Sequence, residues 1–471
     1  MSTIQKNKGI PKLFGTAGIR GLTNLEITPL LALKISQAFA DWLGNKGTAA
    51  IGHDTRYGAS MLGQVMSAGL LSGGINVIDC GIIPTGGIAH FIVNNKLAGG
   101  VLITGSHMPY NRIGIIVIMA DGAYIPEEVA HDIEKRFAQY ETRKAKVMPE
   151  AIGEYKKADN PIGSYKEFLL GCIGRELIKQ KQYKVLVDPA NGTASLVLPD
   201  LLRELGCEVK TINGKIQPIP ERPAEPRAAT LKETAAKVLE YKCDIGIATD
   251  IDADRVLFID ETGTVLSEDL VGSIFTRSVF SHWNKSEKLC VTPINSSGLV
   301  EHTCSDEGIK LEYCPIGQPA TLKVIKRLKA SFSYEESGKY YFARQALWPD
   351  GILASLKIIE IMAREGKKLS HLAGEFPKFY QVKHTIKYSN VGKEKIMKRV
   401  FDIWKKEGTE KRLKDITIDG LKRIYEDKSW LLIRSSGTEP LIRVYADAIS
   451  EARAEELVRI GEGIVKKAIK K

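Results

Sequence analysis

One pattern, repeated three times, most restricts what this chain can fold into. The apolar segment Ala49–His53 ends in the polar turn Asp54-Thr55-Arg56. A helical stretch, Ala59–Leu71, then passes through Gly73-Gly74 into a second apolar run, Ile75–Asp79. Lys184–Val187 leads likewise through Asp188-Pro189-Ala190-Asn191-Gly192 to a helix ending at Leu205, then Gly206 and the strand Cys207–Ile212. The third copy is Leu289–Thr292, the turn Pro293-Ile294-Asn295-Ser296-Ser297-Gly298, a helix to about Glu307, Gly308 and Ile309–Cys314. Strand, turn, helix, closing glycine and strand make a βαβ unit, which requires a parallel or mixed sheet with helices packed on it. Three copies predict three related α/β domains with mixed sheets.

The polar stretch Pro149–Pro161 reads as a linker, and Asp260-Glu261-Thr262-Gly263 as a turn that closes the second domain. Beyond Gly374 the triple pattern stops and the chain becomes Lys-rich, which predicts a smaller α+β domain. The expected boundaries are therefore 1–150, 155–260, 261–374 and 375–471. A length of 471 residues suits three or four such domains at roughly 150 residues each.

Composition excludes several classes. With 44% hydrophobic and 26% charged residues, neither disorder nor coiled coil is the main architecture. The longest apolar runs, such as Ile113–Ala120, are about eight residues against the roughly 20 that span a bilayer, so no membrane partner is expected. Met1 to Pro11 is polar and lacks the apolar core of a secretory signal. The seven cysteines are scattered without a CxxC pair, which argues against a disulfide framework or structural zinc and fits a reducing compartment. A cytoplasmic enzyme is expected. The net charge of +11 favours an anionic partner. No zinc-finger spacing or aromatic RNA-binding signature accompanies the lysines, which fall on helical segments as solvated faces, so nucleic acid is not expected and a phosphorylated small molecule is.

Four motifs carry possible chemistry. Thr249-Asp250-Ile251-Asp252-Ala253-Asp254-Arg255 lies between the apolar runs Ile245–Ala248 and Val256–Ile259. Three carboxylates at alternate positions repel one another unless a cation offsets them, and hard oxygen ligands suit Mg²⁺ or Ca²⁺. An EF-hand is excluded, because Arg255 stands where that loop needs glycine and strands flank the motif. In Val101-Leu102-Ile103-Thr104-Gly105-Ser106-His107-Met108-Pro109 an apolar strand ends in a small-residue turn that presents a hydroxyl at the carboxyl edge of a sheet, where α/β proteins bind ligands. Ser106 suits a nucleophile or phosphate carrier, or a plain loop serine. Tyr334-Glu335-Glu336-Ser337-Gly338-Lys339 suits sugar hydroxyls or a helix N-terminal charge cluster. Arg434-Ser435-Ser436-Gly437-Thr438-Glu439-Pro440 gathers hydroxyls, a glycine amide and an arginine at one turn, as a phosphate cradle or a polar hairpin.

Taken in order, these motifs resemble the α-D-phosphohexomutase family, which includes phosphomannomutase/phosphoglucomutase and phosphoglucosamine mutase. Leu13-Phe14-Gly15-Thr16-Ala17-Gly18-Ile19-Arg20-Gly21, Gly52-His53-Asp54-Thr55-Arg56 and Asp350-Gly351-Ile352-Leu353-Ala354 also match that family. The resemblance spans nearly the whole chain. It implies four domains around a central cleft and a phosphosugar mutase that interconverts hexose 1- and 6-phosphates of mannose or glucose. Phosphoglucosamine, phosphopentose and a non-catalytic phosphosugar-binding protein are the alternatives. By resemblance Ser106 is the phosphoserine, and Asp250, Asp252 and Asp254 bind Mg²⁺ together with its phosphate. Arg20, Arg255 and His107 serve the reacting end, and Glu335, Ser337 and Lys339 bind the sugar. Arg434, Ser436, Gly437 and Thr438 grip the phosphate that is not being transferred, and a sugar 1,6-bisphosphate is intermediate and activator.

The chain departs from the family at several positions. Met108 follows the Ser-His pair where Asn is usual, and Ile116 stands where a Lys is usual. An aliphatic side chain is no base, so proton transfer uses another group such as His107 or relies on direct attack by the alcohol. Arg112 supplies only charge. Lys339 replaces a common His, and Ile251 a common Gly. Neither the oligomeric state nor the preferred sugar is specified by these residues.

Overall fold

The structure is a computed structural model that describes residues 10–15, 18–140, 147–281, 288–388, 392–406, 412–436 and 440–470. The chain forms two compact units, Met1–Leu266 with Gly338–Leu369, and Ser267–Ser337 with Ser370–Lys471.

In the first unit, β1 (Ile19–Leu22), β2 (Thr48–His53), β3 (Asn76–Ile82), β4 (Gly99–Thr104), β5 (Arg112–Met119) and β6 (Tyr155–Lys157) form a mixed sheet in the order β1-β5-β4-β2-β3-β6. Side chains alternate across β4 and β5. Val101, Ile103, Ile115 and Val117 pack with the helices Pro29–Trp42, Ala59–Ser72 and Glu127–Ala138. Leu102, Ile116 and Ile118 pack with Ile88, Phe91 and Ile92 of the helix Thr85–Asn94 on the other face. Strands covered on both faces read as continuous apolar runs, as β4 and β5 do. The stretch read as a linker is not one throughout, because it supplies the edge strand β6, parallel to β3. Its exposed Tyr155, Lys156 and Lys157 hide it from a hydrophobic reading and suit a charged sheet edge.

The second sheet has the order β10-β9-β7-β8, built from β7 (Lys184–Asp188), β8 (Glu208–Thr211), β9 (Ile245–Thr249) and β10 (Val256–Asp260). In the second unit β11 (Leu289–Pro293) lies between β12 (Lys310–Cys314) and β13 (Phe332–Glu335), parallel to both. The chain returns to the first unit with β14 (Lys339–Tyr341) and the helix Gly351–Glu365. The C-terminal part of the second unit is an antiparallel sheet in the order β15-β19-β18-β17-β16. Its strands are β15 (Tyr380–Lys387), β16 (Arg412–Ile416), β17 (Leu421–Tyr425), β18 (Trp430–Ser435) and β19 (Leu441–Ala448). Ile396, Val400 and Trp404 of the Lys-rich helix Lys393–Lys406 and Leu457, Val458 and Val465 of the last helix cover that sheet.

All three repeats close alike. Gly74, Gly206 and Gly308 take φ of +80° or near it (81°, 80° and 61°). The next amide then returns to a helix carbonyl: Ile75 to Leu70 at 3.0 Å, Cys207 to Leu202 at 2.9 Å and Ile309 to Cys304 at 2.7 Å. The second repeat differs inside. Its helix starts only at Leu198, after a 3₁₀ turn over Thr193–Leu196, where Pro199 supplies the preset φ of a first helical turn. All seven cysteines are free thiols. Among the described residues no helix is long and apolar enough to cross a membrane.

Asp350 ties the first unit together. It caps the helix Gly351–Glu365 by accepting from Ile352 N at 3.1 Å and Leu353 N at 2.9 Å, and it accepts from Tyr165 Oη at 2.7 Å and Trp348 Nε1 at 3.3 Å. Asp350→Ala strands these donors in a buried place and is expected to cost about 2–4 kcal/mol, seen as a lower urea midpoint for the first unit.

Candidate active site

Two sheet edges supply the site in the first unit. The hairpin between β9 and β10 carries Asp250, Asp252 and Asp254, and the turn after β4 carries Ser106. The hairpin is narrow, with Thr249 opposite Val256, and it closes through Ala253 in the left-handed region at φ 57°. Three successive carbonyls of the hairpin each accept an amide from the start of a helix. Thr193 N, opening the 3₁₀ turn, donates to Ile251 O at 2.7 Å. Thr85 N, opening Thr85–Asn94, donates to Asp252 O at 2.9 Å, and Gly351 N, opening Gly351–Glu365, donates to Ala253 O at 3.0 Å. These helix starts use their unpaired amides to fix the loop and place partial positive charge under it. Ile251 is aliphatic because it packs against Ala190 and Ala224, which explains its departure from glycine.

The three carboxylates are buried and offer oxygens within 4.8 Å of one another. Burial and then the neighbouring aspartates push Asp250 well above the usual carboxylate range, and burial and Asp254 push Asp252 upward. Burial acts the same way on Asp254, but Lys339 and Arg255 outweigh it and hold that carboxyl low. Asp252 Oδ1 and Asp254 Oδ1 are buried and accept no hydrogen bond from a donor among the described residues. Orphaned anionic oxygens converging in a dry site fit a hard divalent cation, which needs such ligands and offsets their repulsion.

Ser106 reaches this cage directly. Its Oγ donates to Asp250 Oδ2 at 2.7 Å and lies 3.3 Å from His107 Nδ1. Ser106 itself takes a left-handed φ of 48°, uncommon for serine. Arg56 holds that conformation in place. Its Nη1 donates to Pro109 O and Arg112 O, both at 2.7 Å, and its Nη2 to Ser106 O at 2.6 Å and Met108 O at 2.5 Å. Gly105 leaves room for this clamp, since a Cβ there would lie 2.0 Å from Arg56 Nη1. Asp54 completes it by accepting from Arg56 N at 2.9 Å and Gly105 N at 2.8 Å. Thr104 Oγ1 accepts from Ser106 N at 2.8 Å and lies 2.9 Å from both Asp54 Oδ2 and Asp252 Oδ2, with one hydrogen to give.

Cations ring the cage. Arg255 donates to Glu225 Oε1 at 2.9 Å and approaches His107 Nε2 at 3.5 Å. Burial and Arg255 lower the Arg20 pKa, while Asp252 and Asp254 oppose them. Lys339 Nζ donates to Asp254 Oδ2 at 2.7 Å, so the structure places this residue at the aspartate cage. Tyr124 Oη reaches the same oxygen at 3.5 Å. Burial, followed by Arg255, Arg20, Lys339 and Arg56, drives the His107 pKa far below that of free imidazole. Ile116 belongs to the packed face of β5.

In the second unit, Ser337 Oγ is buried and has no hydrogen-bond partner among the described residues, and Glu336 accepts from Lys383 Nζ at 2.7 Å. Arg434 and Ser436 lie at the end of β18 and are buried. Gly437 and Thr438, like Thr16 and Ala17, lie outside the described residues. Arg56, Thr104 and Tyr124 carried no assigned role in the sequence. An arginine just after a strand end, in a turn facing a second strand-end turn, was the available signal for Arg56.

Four family models match the chain in order. The phosphoglucomutase/phosphomannomutase α/β/α domain I covers residues 11–144, domain II 164–263, domain III 267–380 and the C-terminal domain 388–459. A phosphoglucosamine/phosphogalactosamine mutase of Sulfurisphaera tokodaii is 36% identical over 449 residues, 95% of this chain and 97% of that protein. A phosphoglucomutase/phosphomannomutase of Thermococcus kodakarensis is 36% identical over 464 residues, 98% of this chain and 99% of that protein. A putative phosphomannomutase from Thermus thermophilus shares the fold, with a TM-score of 0.81 at 23% identity over 97% of this chain and 99% of that one. The chain belongs to the α-D-phosphohexomutase family, with three mixed-sheet α/β domains and an antiparallel C-terminal domain. It is an isomerase of the phosphohexomutase class.

Because burial and four cations hold His107 neutral, its ring signal in the dephosphorylated protein is expected to stay flat from about pH 5 to 8, where an ordinary histidine titrates. NMR with His107→Gln for assignment checks this, and a midpoint near 6.5 would contradict it.

Proposed function

We propose that this enzyme interconverts the 1- and 6-phosphates of a hexose, mannose or glucose, through a phosphoserine at Ser106. The observation that carries the reading is the 2.7 Å contact between Ser106 Oγ and Asp250 Oδ2 inside a buried three-aspartate cage. In the reading, phospho-Ser106 gives its phosphoryl group to the free hydroxyl of a sugar monophosphate. The Ser106 Oγ–P bond breaks, a sugar O–P bond forms, and the hydroxyl proton passes by way of a neighbouring base to the departing Ser106 oxygen. The bisphosphate reorients and returns its other phosphoryl group to Ser106, and the same bisphosphate primes an enzyme that has lost its phosphate. Asp250, Asp252 and Asp254 with the Ser106 phosphate would hold Mg²⁺, which supplies positive charge beside the phosphoryl oxygens.

Arg20 and Arg255 neutralise the transferring group, and positioning and electrostatics do most of the catalysis. His107 is neutral and stands beside Ser106, so its ring nitrogen can take the hydroxyl proton. The cations that depress its basicity are offset once a phosphoryl dianion enters. Lys339 orients Asp254 so that Oδ1 faces the cage, and Glu335 and Ser337 take sugar hydroxyls. Arg434 and Ser436, with Gly437 and Thr438, grip the phosphate that stays on the sugar.

A second substrate reading, glucosamine phosphate, is favoured by the name of the Sulfurisphaera tokodaii relative. Assays with mannose, glucose, glucosamine and ribose 1-phosphates, with a trace of sugar bisphosphate, separate the substrates. Turnover of ribose phosphate without hexose phosphates would sink the hexose assignment. Intact mass is expected to show one phosphate, absent in Ser106→Ala, whose turnover falls by at least about 10³-fold. Turnover by that variant at the parental rate would remove the phosphoserine mechanism.

A further inference from the structure

Arg434 is not left to find its own orientation. Asp419 lies in the turn between β16 and β17, and its Oδ2 accepts from Arg434 Nη2 at 3.1 Å and from Ile316 N at 3.0 Å. Its Oδ1 lies 3.4 Å from both Arg434 Nε and Nη2. The contact is therefore side-on, along the Nε–Nη2 edge of the guanidinium, and a phosphate must meet the Nη1 end. Gly420 permits the approach. It takes φ 95°, and a Cβ there would lie 2.5 Å from Ile433 O and 2.7 Å from Arg434 Cβ. The carboxylate is itself fixed, since Ile316 precedes the helix Gln318–Leu328 and its amide holds Oδ2. The pair is mostly buried, with the Arg434 side chain 11% and the Asp419 side chain 22% exposed, so water competes weakly for either group.

We propose that Asp419 is a positioning residue for phosphate recognition, acting through Arg434. The inference rests on the reading that Arg434 binds the phosphate that is not transferred. An arginine side chain loses rotamer freedom when it clasps an anion, and a guanidinium already held on one edge has less left to lose. A carboxylate on one edge also leaves the planar fork at a fixed angle, so that paired N–H groups meet two phosphate oxygens together. The proposal distinguishes Asp419 from a surface ion-pair partner, because its loss should appear in substrate affinity and not in the chemical step.

The test is a mutant cycle on the full-length phosphoenzyme with hexose 1-phosphate as substrate. Asp419→Asn keeps the size and an acceptor for Ile316 N but removes the charge. It is expected to raise KM by about 10-fold with kcat within about twofold, and Asp419→Glu should recover part of the loss. In an Arg434→Ala background, Asp419→Asn should change KM by less than about twofold, because a residue acting through Arg434 has nothing left to position. Full additivity of the two substitutions would overturn the proposal. So would an unchanged KM for Asp419→Asn beside a raised KM for Arg434→Ala, which leaves the role of Arg434 standing. An unchanged KM for Arg434→Ala removes that role and this inference with it. A fall in kcat for Asp419→Asn that tracks a lower melting temperature would mark the residue as structural and also overturn the proposal.

Discussion

Asp54, Asp250, Asp252 and Asp254 are neighbouring buried carboxylates in the first unit, and their mutual repulsion is the condition that the surrounding residues answer. Two kinds of response are visible. Around the rim, Arg20, Arg56, Arg255 and Lys339 bring formal positive charge. Underneath, the carbonyls of Ile251, Asp252 and Ala253 are occupied by amides at three helix starts. The second response matters more for shape than for charge. A hairpin with these three carbonyls committed resists swinging its side chains apart to relieve repulsion, so the carboxylates stay convergent.

The same economy governs the serine turn. A left-handed non-glycine residue costs of order 1–3 kcal/mol and persists only when its neighbours over-determine it. At Ser106 they do, because Arg56 takes the carbonyls of residues 106, 108, 109 and 112 and Thr104 takes the Ser106 amide. Both loops are thus held through their backbones, which leaves the side chains of Ser106 and the three aspartates free to face one another. Thr104 joins the two loops, since its hydroxyl touches Asp252 while its oxygen receives the Ser106 amide. A change in either loop is therefore felt in the other.

What was legible in the sequence follows from what is local. The three repeats show themselves because a closing glycine and an apolar strand lie within a few residues of each helix end, and the aspartate triad because its spacing is confined to one hairpin. The fold of the chain was readable for that reason. Residues whose meaning lies in a distant partner were not. Arg56 acts on carbonyls some 50 residues away, Lys339 on a carboxylate 85 residues away and Asp419 on an arginine 15 residues away across a sheet. Edge strand β6 escaped because a charged strand of three residues has no hydrophobic signature.

The departures from the family's pattern sort themselves by the same logic. Ile116 and Ile251 are aliphatic because each points into packed apolar surroundings, the helix Thr85–Asn94 in one case and Ala190 with Ala224 in the other. Lys339 differs, since it is a cation bonded to Asp254, and it pulls that carboxyl down while its two neighbours are pushed up. Carboxylates in one cage with pKa values driven in opposite directions are unequal ligands. Asp254 is the carboxyl held low by its cations, and Asp250, pushed upward, is the one bonded to the serine hydroxyl.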